Sequence, residues 1–402
     1  MTTPKSMSSE DLLREPPDFS LVQGGPLFQL LRRSHLSGDD LELMRLRIIV
    51  ISMLAWLPLL VLSALEGKAL GGNVAVPFLV DVEVHVRFLV ALPLLIAAEL
   101  VVHRRMRFVV KQFLDRNLIP EGAMKRFDSA IASAFRLRNS MLAEVLLIAF
   151  VYAAGFLVWR TQYELDTATW YASPTSEGMN LSLTGIWFVW VSLPIFQFLL
   201  IRWLFRIFIW MRFLWKVSCI DLSLVPTHPD RVGGLGFLSN TVYAFIPLAL
   251  VAGVILSGSI ANRIFHTGAA LPEFTIFIAT YVVIVLCVVL LPLMVFAPML
   301  AQAKRVGVRE YGTLAERYVR EFDTKWLRGG APADEQLVGS GDIQSLADLA
   351  NSYEVVKTMR IAPVTREVIL RIVAATLAPL APLALTMMPL EELLKLLFGK
   401  LL

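Results

Sequence analysis

The chain has 402 residues, of which 56% are hydrophobic and only 17% are charged, and its mean hydropathy is +0.66. Average soluble domains are about 45–50% apolar and about 25% charged, so this composition excludes an ordinary soluble domain and indicates a bilayer protein. The net charge of +4 is too small to indicate nucleic acid as a partner.

The first 47 residues form a polar leader that we predict to be cytoplasmic and disordered at its beginning. The first apolar run starts only near Ile48, which is not the pattern of a signal peptide. Within the leader, GPLFQLLRR (25–33) has the spacing of a short amphipathic surface helix.

Seven apolar runs are long enough to cross a bilayer, which takes about 20 mostly apolar residues. They lie near residues 48–65, 86–103, 142–159, 183–202, 241–261, 275–300 and 368–388. The predicted fold is therefore all-α: a polytopic membrane bundle of about seven transmembrane helices with helical cytoplasmic arms. Six spans lie within residues 48–301, and the seventh belongs to a C-terminal region, 367–402.

The seventh run contains Pro379 and Pro382, so its course is open to two interpretations. It either crosses once and leaves an amphipathic tail on the outer surface, or it breaks at the prolines and returns as a re-entrant hairpin. A re-entrant backbone is tolerated only where protein or water covers it. We prefer the single crossing.

Basic residues set the orientation, because cytoplasmic loops of membrane proteins are rich in Lys and Arg. If the leader is cytoplasmic, the segments on its side hold 31 of the 37 Lys and Arg residues, and the opposite side holds six. This asymmetry predicts a multi-pass protein with a cytoplasmic N-terminus.

Three predicted hairpins share a Leu-Pro pair in their second helix, with prolines at Pro93, Pro194 and Pro292. A basic residue follows each proline by twelve positions: Arg105, Arg206 and Lys304. Twelve helical residues cover about 18 Å, which places the proline near mid-bilayer and the cation at the cytoplasmic edge. The pattern fits repeated hairpins, as in many transporters, and it also fits features common to unrelated spans.

The first cytoplasmic arm (103–140) and the second (202–240) flank the bundle. In the first arm, the sequence predicts two helices with Pro120 and Gly122 between them. This arm has nine basic and three acidic residues, which either contact anionic lipid headgroups or only determine the topology. The second begins RWLFRIFIWMRFLWK, a mixture typical of an interfacial helix. Its tryptophans and cations are Trp203, Trp210, Trp215, Arg202, Arg206, Arg212 and Lys216.

The third arm (302–366) contains two amphipathic helices joined by the linker RGGAPADEQLVGSG. Asp342 is the predicted N-cap of the second helix. About 60 residues are marginal for an independent domain, so these helices should pack on each other, on the other arms or on a second subunit in a homo-oligomer.

The stretch VPTHPDRVGGLGFL (225–238) precedes the fifth span and concentrates special residues. Its glycines permit positive φ, and consecutive amides in such a turn can bind an anion, with an arginine as counter-charge. One interpretation is a site for an anionic small ligand; the other is a rigid connector. The candidate residues are His228, Asp230, Arg231, Gly233, Gly234 and Gly236.

Glu99 and Glu144 are the carboxylates within apolar runs, near the cytoplasmic ends of spans two and three. Charges in a bilayer are costly and often functional. We expect either ion pairs with Arg104, Arg105 or Arg138, or a proton or cation pathway, with Arg371 of the last run as a further partner. No sequence pattern of a catalytic site, metal site or cofactor site is recognised, so we predict none of the three.

The pieces HPDRVGGLGFL and GDIQSLADLANSYEVVKTMR resemble an uncharacterised family of bacterial integral membrane proteins with no assigned activity. The resemblance covers roughly the second half of the chain and implies a bacterial inner membrane. Three function classes remain: a channel or transporter, which we prefer, a signalling or scaffold protein acting through its cytoplasmic helices, and a membrane enzyme acting on phosphate or lipid groups.

The charge asymmetry makes a prediction about topology. Reporter domains fused after Leu70, Thr175 and Thr267 should report the outside, and fusions after Asn117, Asn240 and Ala333 should report the cytoplasm. Alkaline phosphatase and fluorescent-protein fusions measure both outcomes. A cytoplasmic result at Thr175 would contradict the whole map.

Overall fold

A computed structural model describes residues 19–33, 43–72, 74–162, 169–175 and 178–386. Within them, six helical segments are long and apolar enough to cross a membrane. They are Met44–Leu65, Val82–Asp115, Leu183–Ser218, Phe237–Thr267, Leu271–Met294 and Arg366–Thr386. A seventh candidate is the pair Glu121–Arg138 and Met141–Gly155, bent by 47°. The all-α, polytopic membrane fold is confirmed.

The helices follow the chain in a simple order. They are α1 (Pro26–Arg33), α2 (Met44–Leu65), α3 (Val82–Val86), α4 (Leu92–Met106), α5 (Val109–Asp115), α6 (Met124–Arg138), α7 (Met141–Gln162), α8 (Leu183–Trp187), α9 (Leu193–Ser218), α10 (Phe237–Val242), α11 (Ile246–Thr267), α12 (Thr275–Met294), α13 (Ala297–Phe322), α14 (Asp342–Lys357) and α15 (Arg366–Leu377). A short antiparallel hairpin pairs β1 (Ala172–Thr175) with β2 (Gly178–Leu181).

We name the two ends of the bundle by what they carry. The arm end carries α5, α6 and the α13–α14 hairpin, which are the predicted cytoplasmic arms. The cap end carries the β-hairpin and the loop before α3. At the cap end, the buried Trp170 donates its indole N–H to Asp81 Oδ2 at 2.9 Å and lies edge-on to Phe78 and Phe188. This aromatic cluster fills the cap end.

Two of the three Leu-Pro hairpins have the same local geometry. A π-helical turn, Arg87–Ala91, joins α3 to α4, and another, Phe188–Ser192, joins α8 to α9. In each, the proline follows in the first turn of the next helix, where its missing N–H and its ring disrupt the preceding hydrogen bonds. Side-chain caps precede both: Asp81 Oδ1 accepts from Val84 N and Ser182 Oγ from Gly185 N.

The third hairpin departs from this pattern. Pro292 lies inside α12, two residues before its end, and no π turn precedes it. A turn at 295–296 then leads into α13, whose first turn contains Pro298. The repeat suggested by the sequence therefore holds in local geometry for two hairpins and not for the third.

The prediction of an interfacial helix at residues 202–216 is wrong. The segment is the second half of the continuous helix α9. Trp203 and Trp210 are buried, and the Trp203 indole N–H donates to Leu95 O at 2.9 Å. Trp215 alone among the three tryptophans is exposed. Arg202 and Arg206 are buried as well, so tryptophans and cations share the packed side of this helix.

The last span runs beside α10 and α11 without turning back before Thr386. Ser239 Oγ donates to Pro363 O, and Ser257 Oγ donates to Pro379 O, both at 2.7 Å. Between them, a Cβ placed on Gly253 would lie 2.1 Å from Thr376 O, so only glycine permits this approach. The segment after Leu377 is 3₁₀-helical through Thr386, and Ser257 satisfies a carbonyl in its proline-rich turn. The predicted amphipathic tail (389–402) lies outside the described residues.

The predicted packing of the two third-arm helices is present, but the predicted N-cap is not. The Tyr318 hydroxyl of α13 donates to Asp342 O at 3.0 Å. Gly341, not Asp342, precedes the first helical residue of α14. The Asp342 carboxylate instead accepts from Lys325 Nζ at 2.9 Å and Trp326 Nε1 at 2.8 Å, which hold the pKa of Asp342 below its usual range. A π turn at Asp323–Leu327 brings these donors to it.

Candidate functional site

A buried network of ion pairs occupies the arm end of the bundle. Glu99 of α4 is 4% exposed and forms salt bridges with three arginines. Arg47 of α2 is a direct partner, Arg206 of α9 lies at 2.8 Å, and Arg202 lies at 3.7 Å from the same carboxylate. All three guanidinium groups are themselves buried, so their charges act in a medium of low dielectric constant.

Glu144 of α7 extends the network. Its Oε1 accepts from Arg202 Nη2 at 3.1 Å, and its Oε2 accepts from the backbone N–H of Leu27 at 2.7 Å, at the start of α1. Arg202 thus joins the two carboxylates. The network links five helices: α1, α2, α4, α7 and α9. We name Arg47, Glu99, Glu144, Arg202 and Arg206 the central ion cluster.

The two equivalent hairpins carry this cluster with reversed charge. Arg47 and Glu144 are both the fourth residue of a 22-residue helix, α2 and α7 respectively. Arg47 pairs with Glu99 on the second helix of its hairpin, and Glu144 pairs with Arg202 on the second helix of its own. The base–acid order of the first hairpin becomes acid–base in the second. Arg202 and Arg206 then bind Glu99 across the two hairpins.

The described part of the leader, 19–33, packs on the same end of the bundle. Phe19 is fully buried, with its ring centroid 4.5 Å from that of Phe213. Arg138 Nη1 donates to Ser20 O at 2.5 Å, and Ser20 Oγ lies 3.0 Å from His103 Nδ1. The predicted helix at 25–33 is present as α1. The leader segment therefore closes the arm end over the central ion cluster.

Two glycines make this closure possible. Gly24 and Gly25 have φ angles of +127° and +89°, which side chains of L-residues rarely adopt. A Cβ on Gly24 would lie 2.6 Å from the Asn139 side chain, and one on Gly25 would lie 3.1 Å from Glu144 Oε1. The Gly-Gly pair before Pro26 was the available signal, and our prediction of a polar leader with a short surface helix did not use it.

The predicted partners of the intramembrane carboxylates were wrong, although ion pairing itself was one of the expected outcomes. Arg104 and Arg105 do not pair with Glu99 or Glu144, and Arg138 binds the leader backbone. Arg371 pairs with Glu367 at 2.5 Å, one turn away on its own helix, and lies over the Tyr243 ring. The expectation relied on closeness along the chain, whereas helix packing brings α9 beside α4.

This geometry favours structural ion pairs over a pathway. Each carboxylate is engaged by charged or backbone donors, which leaves it poorly placed to coordinate a passing cation. Among the described residues, no group of three or more His, Cys, Asp or Glu side chains is placed to hold a metal ion.

The loop 225–238 folds around the Asp230 carboxylate. Oδ1 accepts from Val232 N at 2.9 Å and Gly234 N at 3.2 Å, and Oδ2 accepts from Gly236 N at 2.8 Å. Burial alone would raise the pKa of Asp230, but these backbone amides hold it below its usual range. The amides do converge on an anion, as the sequence suggested, but that anion belongs to the protein. Gly233 and Gly234, with φ of +66° and +100°, permit the turn.

The other candidate residues of the loop are separated in their roles. His228 Nδ1 lies 2.9 Å from Asp230 Oδ1. Arg231 is exposed, with φ of +56°, and its carbonyl accepts from Arg360 N at 2.7 Å. This arrangement favours the connector interpretation over the ligand site, because a ligand anion would have to displace Asp230.

The loop also joins the three arms. Arg360, just after α14, donates Nη2 to Asp230 O at 2.9 Å and Nη1 to Val364 O at 3.0 Å. Arg116 of the first arm donates to Gly234 O at 3.1 Å. On α13, Gly307 is packed so closely that a Cβ would lie 2.8 Å from Pro226. We name Asp230, Arg360 and the loop 225–238 the arm joint.

The central ion cluster makes a prediction about stability. Glu99→Gln leaves three buried arginines without their shared carboxylate, so the free energy of unfolding should fall by about 3–5 kcal/mol, the range for breaking a buried pair. Denaturant or thermal unfolding in detergent measures it. Glu316→Gln, in the exposed pair with Arg320, is the control and should change stability little. Unchanged stability in Glu99→Gln, together with a lost ion flux, would favour a pathway.

The arm joint makes a second prediction. Asp230→Ala removes the acceptor of three amides, and because the carboxylate is only half-buried the loss should be about 1–2 kcal/mol, with faster hydrogen exchange at 225–238. Since the pKa of Asp230 is lowered, its contribution is present above about pH 4 and is lost as pH falls through the lowered pKa.

Hydrogen-exchange mass spectrometry across pH tests this, with Asp221→Ala at a nearby exposed carboxylate as control. The ligand-site interpretation expects a different result: normal exchange in Asp230→Ala, and phosphate binding weakened by about 1.5–3 kcal/mol in Arg231→Ala.

Comparison of the chain with protein-family models, with curated proteins and with solved structures found no match. The resemblance to uncharacterised bacterial membrane proteins stays a prediction. The function proposed below rests on the contacts of this chain's own residues.

Proposed function

We propose that the protein is a membrane-embedded signalling or scaffold protein of the bacterial inner membrane, acting through the α13–α14 hairpin on the cytoplasmic side. The observation that carries the proposal is the arm joint. Arg360 at the end of α14 is bound to the loop that precedes α10, and α15 begins only six residues later. The hairpin, the first arm and two membrane helices therefore meet at one rigid point.

The filled ends of the bundle support this role. The central ion cluster and the leader segment occupy the arm end, and the aromatic cluster around Trp170 occupies the cap end. Packed ends suit a protein that transmits a signal or anchors a partner better than a protein that conducts ions or solutes across the membrane.

The hairpin has the surface that a partner would need. Its helices pack on each other, yet apolar side chains remain in solvent on it and on its linker: Leu314, Val319, Leu327, Val338 and Ile343. Exposed apolar clusters on otherwise polar helices often mark protein contacts. A second copy of the chain or another protein fits this surface equally well.

Photo-crosslinking in intact cells tests the proposal. A photoreactive residue at Leu314 or Ile343 should give one discrete crosslinked protein, and the same residue at exposed Leu70 of the cap end should not. Asp230→Ala, which loosens the joint, should reduce the hairpin crosslink at equal protein level. Crosslinks that are diffuse, or equal at Leu70, would contradict the proposal.

A channel or transporter is the second candidate, and one observation favours it. The α3–π–α4 and α8–π–α9 hairpins are alike, π turns are frequent at functional sites, and repeated units are common in transporters. Purified protein in liposomes, assayed for proton and sodium flux with dyes, tests it. Flux above empty liposomes that Glu99→Gln abolishes would favour this candidate over the first.

The third class, a membrane enzyme acting on phosphate or lipid groups, depended on the loop 225–238. Its amides are directed at Asp230, and no other described observation favours that activity.

A further inference from the structure

A pocket of about 390 Å³ lies at the arm end between α6 and the C-terminal end of α9. Lys125, Arg126 and Ser129 line it on α6, and Trp215, Lys216 and Cys219 line it at the end of α9. It is separate from the central ion cluster and from the arm joint.

The cations of this pocket lack protein partners. In the part of the chain that the structure describes, no ion pair and no hydrogen-bond acceptor is found for the side chains of Lys125, Arg126 and Lys216. Arg136 and Arg212 add like charge beside Lys216. Asp128, the single acidic residue of α6, forms no ion pair with them. Three cations that have no partner among the described residues, with two further arginines nearby, attract an anion from outside the protein.

The surface beside the pocket is apolar. Leu204, Phe208 and Trp215 are exposed on α9 at spacings of four and seven residues, which places them on one face of the helix. All three belong to the structural segment Leu183–Ser218, which is a candidate membrane span, and they face away from the bundle, where acyl chains would lie. Trp215, 56% exposed at the pocket, has the amphipathic ring that favours headgroup depth.

We propose that this pocket binds the phosphate of an anionic phospholipid. The lipid phosphate lies among Lys125, Arg126 and Lys216, and the Ser129 hydroxyl lines the pocket and can donate to this phosphate. The acyl chains of the lipid lie along the apolar face of α9. Basic pockets between helices at the membrane surface hold anionic headgroups in this way. A free phosphate would use the cations and not the apolar face, so the two sources are separable by experiment.

The test is native mass spectrometry of the full-length protein in detergent, titrated with phosphatidylglycerol and, separately, with phosphatidylcholine. Phosphatidylglycerol should bind more tightly. The triple variant Lys125→Gln/Arg126→Gln/Lys216→Gln should weaken phosphatidylglycerol binding by about fivefold for each cation removed and should leave phosphatidylcholine binding unchanged.

A matched triple variant separates the pocket from diffuse charge. Lys111→Gln/Arg309→Gln/Lys357→Gln removes three exposed cations outside the pocket and should keep wild-type phosphatidylglycerol binding. Five of the six substituted side chains are exposed and Lys216 is partly buried, and thermal unfolding checks that both variants are folded. Equal weakening in the two variants would overturn the proposal.

Two further measurements identify the ligand. Phosphatidylglycerol brominated on its acyl chains should quench tryptophan fluorescence more in the wild type than in Trp215→Phe. Millimolar inorganic phosphate should fail to displace the lipid. Displacement by inorganic phosphate, or quenching that does not depend on Trp215, would mean that the pocket binds a free anion and that the lipid proposal is wrong.

Discussion

The Glu99 carboxylate is the interaction on which the packing of this bundle depends. Glu99 is on α4, and its carboxylate is paired with one arginine of α2 and two arginines of α9. Because an unpaired charge is costly in an apolar interior, these ion pairs hold the three helices together. Apolar packing in a membrane gives little orientation, because lipid tails and side chains are equally apolar. Charge pairing supplies the missing specificity: it selects which helices are neighbours and at what depth.

The cluster also explains how two similar hairpins form one unit. The second helix of the first hairpin carries Glu99, and the second helix of the other hairpin carries Arg202 and Arg206. Arg202 therefore binds both Glu99 and Glu144. Identical hairpins would have placed like charges opposite each other. The leader then completes the arrangement from the arm end, since its Leu27 amide binds the remaining oxygen of Glu144. Helices, hairpins and leader thus share one electrostatic centre.

The arm joint uses the same principle at the arm end of the bundle. An internal carboxylate, Asp230, satisfies amides that would otherwise face solvent or a ligand, and the resulting turn offers its own carbonyls to Arg360. Because its backbone amides and carbonyls are hydrogen-bonded within the protein, this loop gives Arg360 a fixed set of acceptors. The consequence is that α13–α14 is attached to the bundle by a defined contact, and the basic pocket at α6 and α9 lies on the same end. The basic pocket, the bundle and the hairpin are therefore next to each other.

The sequence alone determined that the chain is an all-α membrane protein, where most of its spans lie, and the helices of the first and third arms, because run length and helical periodicity are local properties. That the third-arm helices pack on each other, and not on another arm or subunit, was decided by the tertiary structure. It also singled out Glu99, Glu144 and the loop at 225–238, because charges in apolar runs and dense glycine are conspicuous. Only the tertiary structure decided which groups meet. Arg47, Arg202 and Arg206 reach Glu99 through contacts of 52 to 107 residues' separation, and no local pattern encodes such contacts. The same holds for Asp230, whose carboxylate could equally have met a ligand: the turn brings it to the amides of Val232, Gly234 and Gly236, and that folded contact, not the composition of the loop, determines what the loop does.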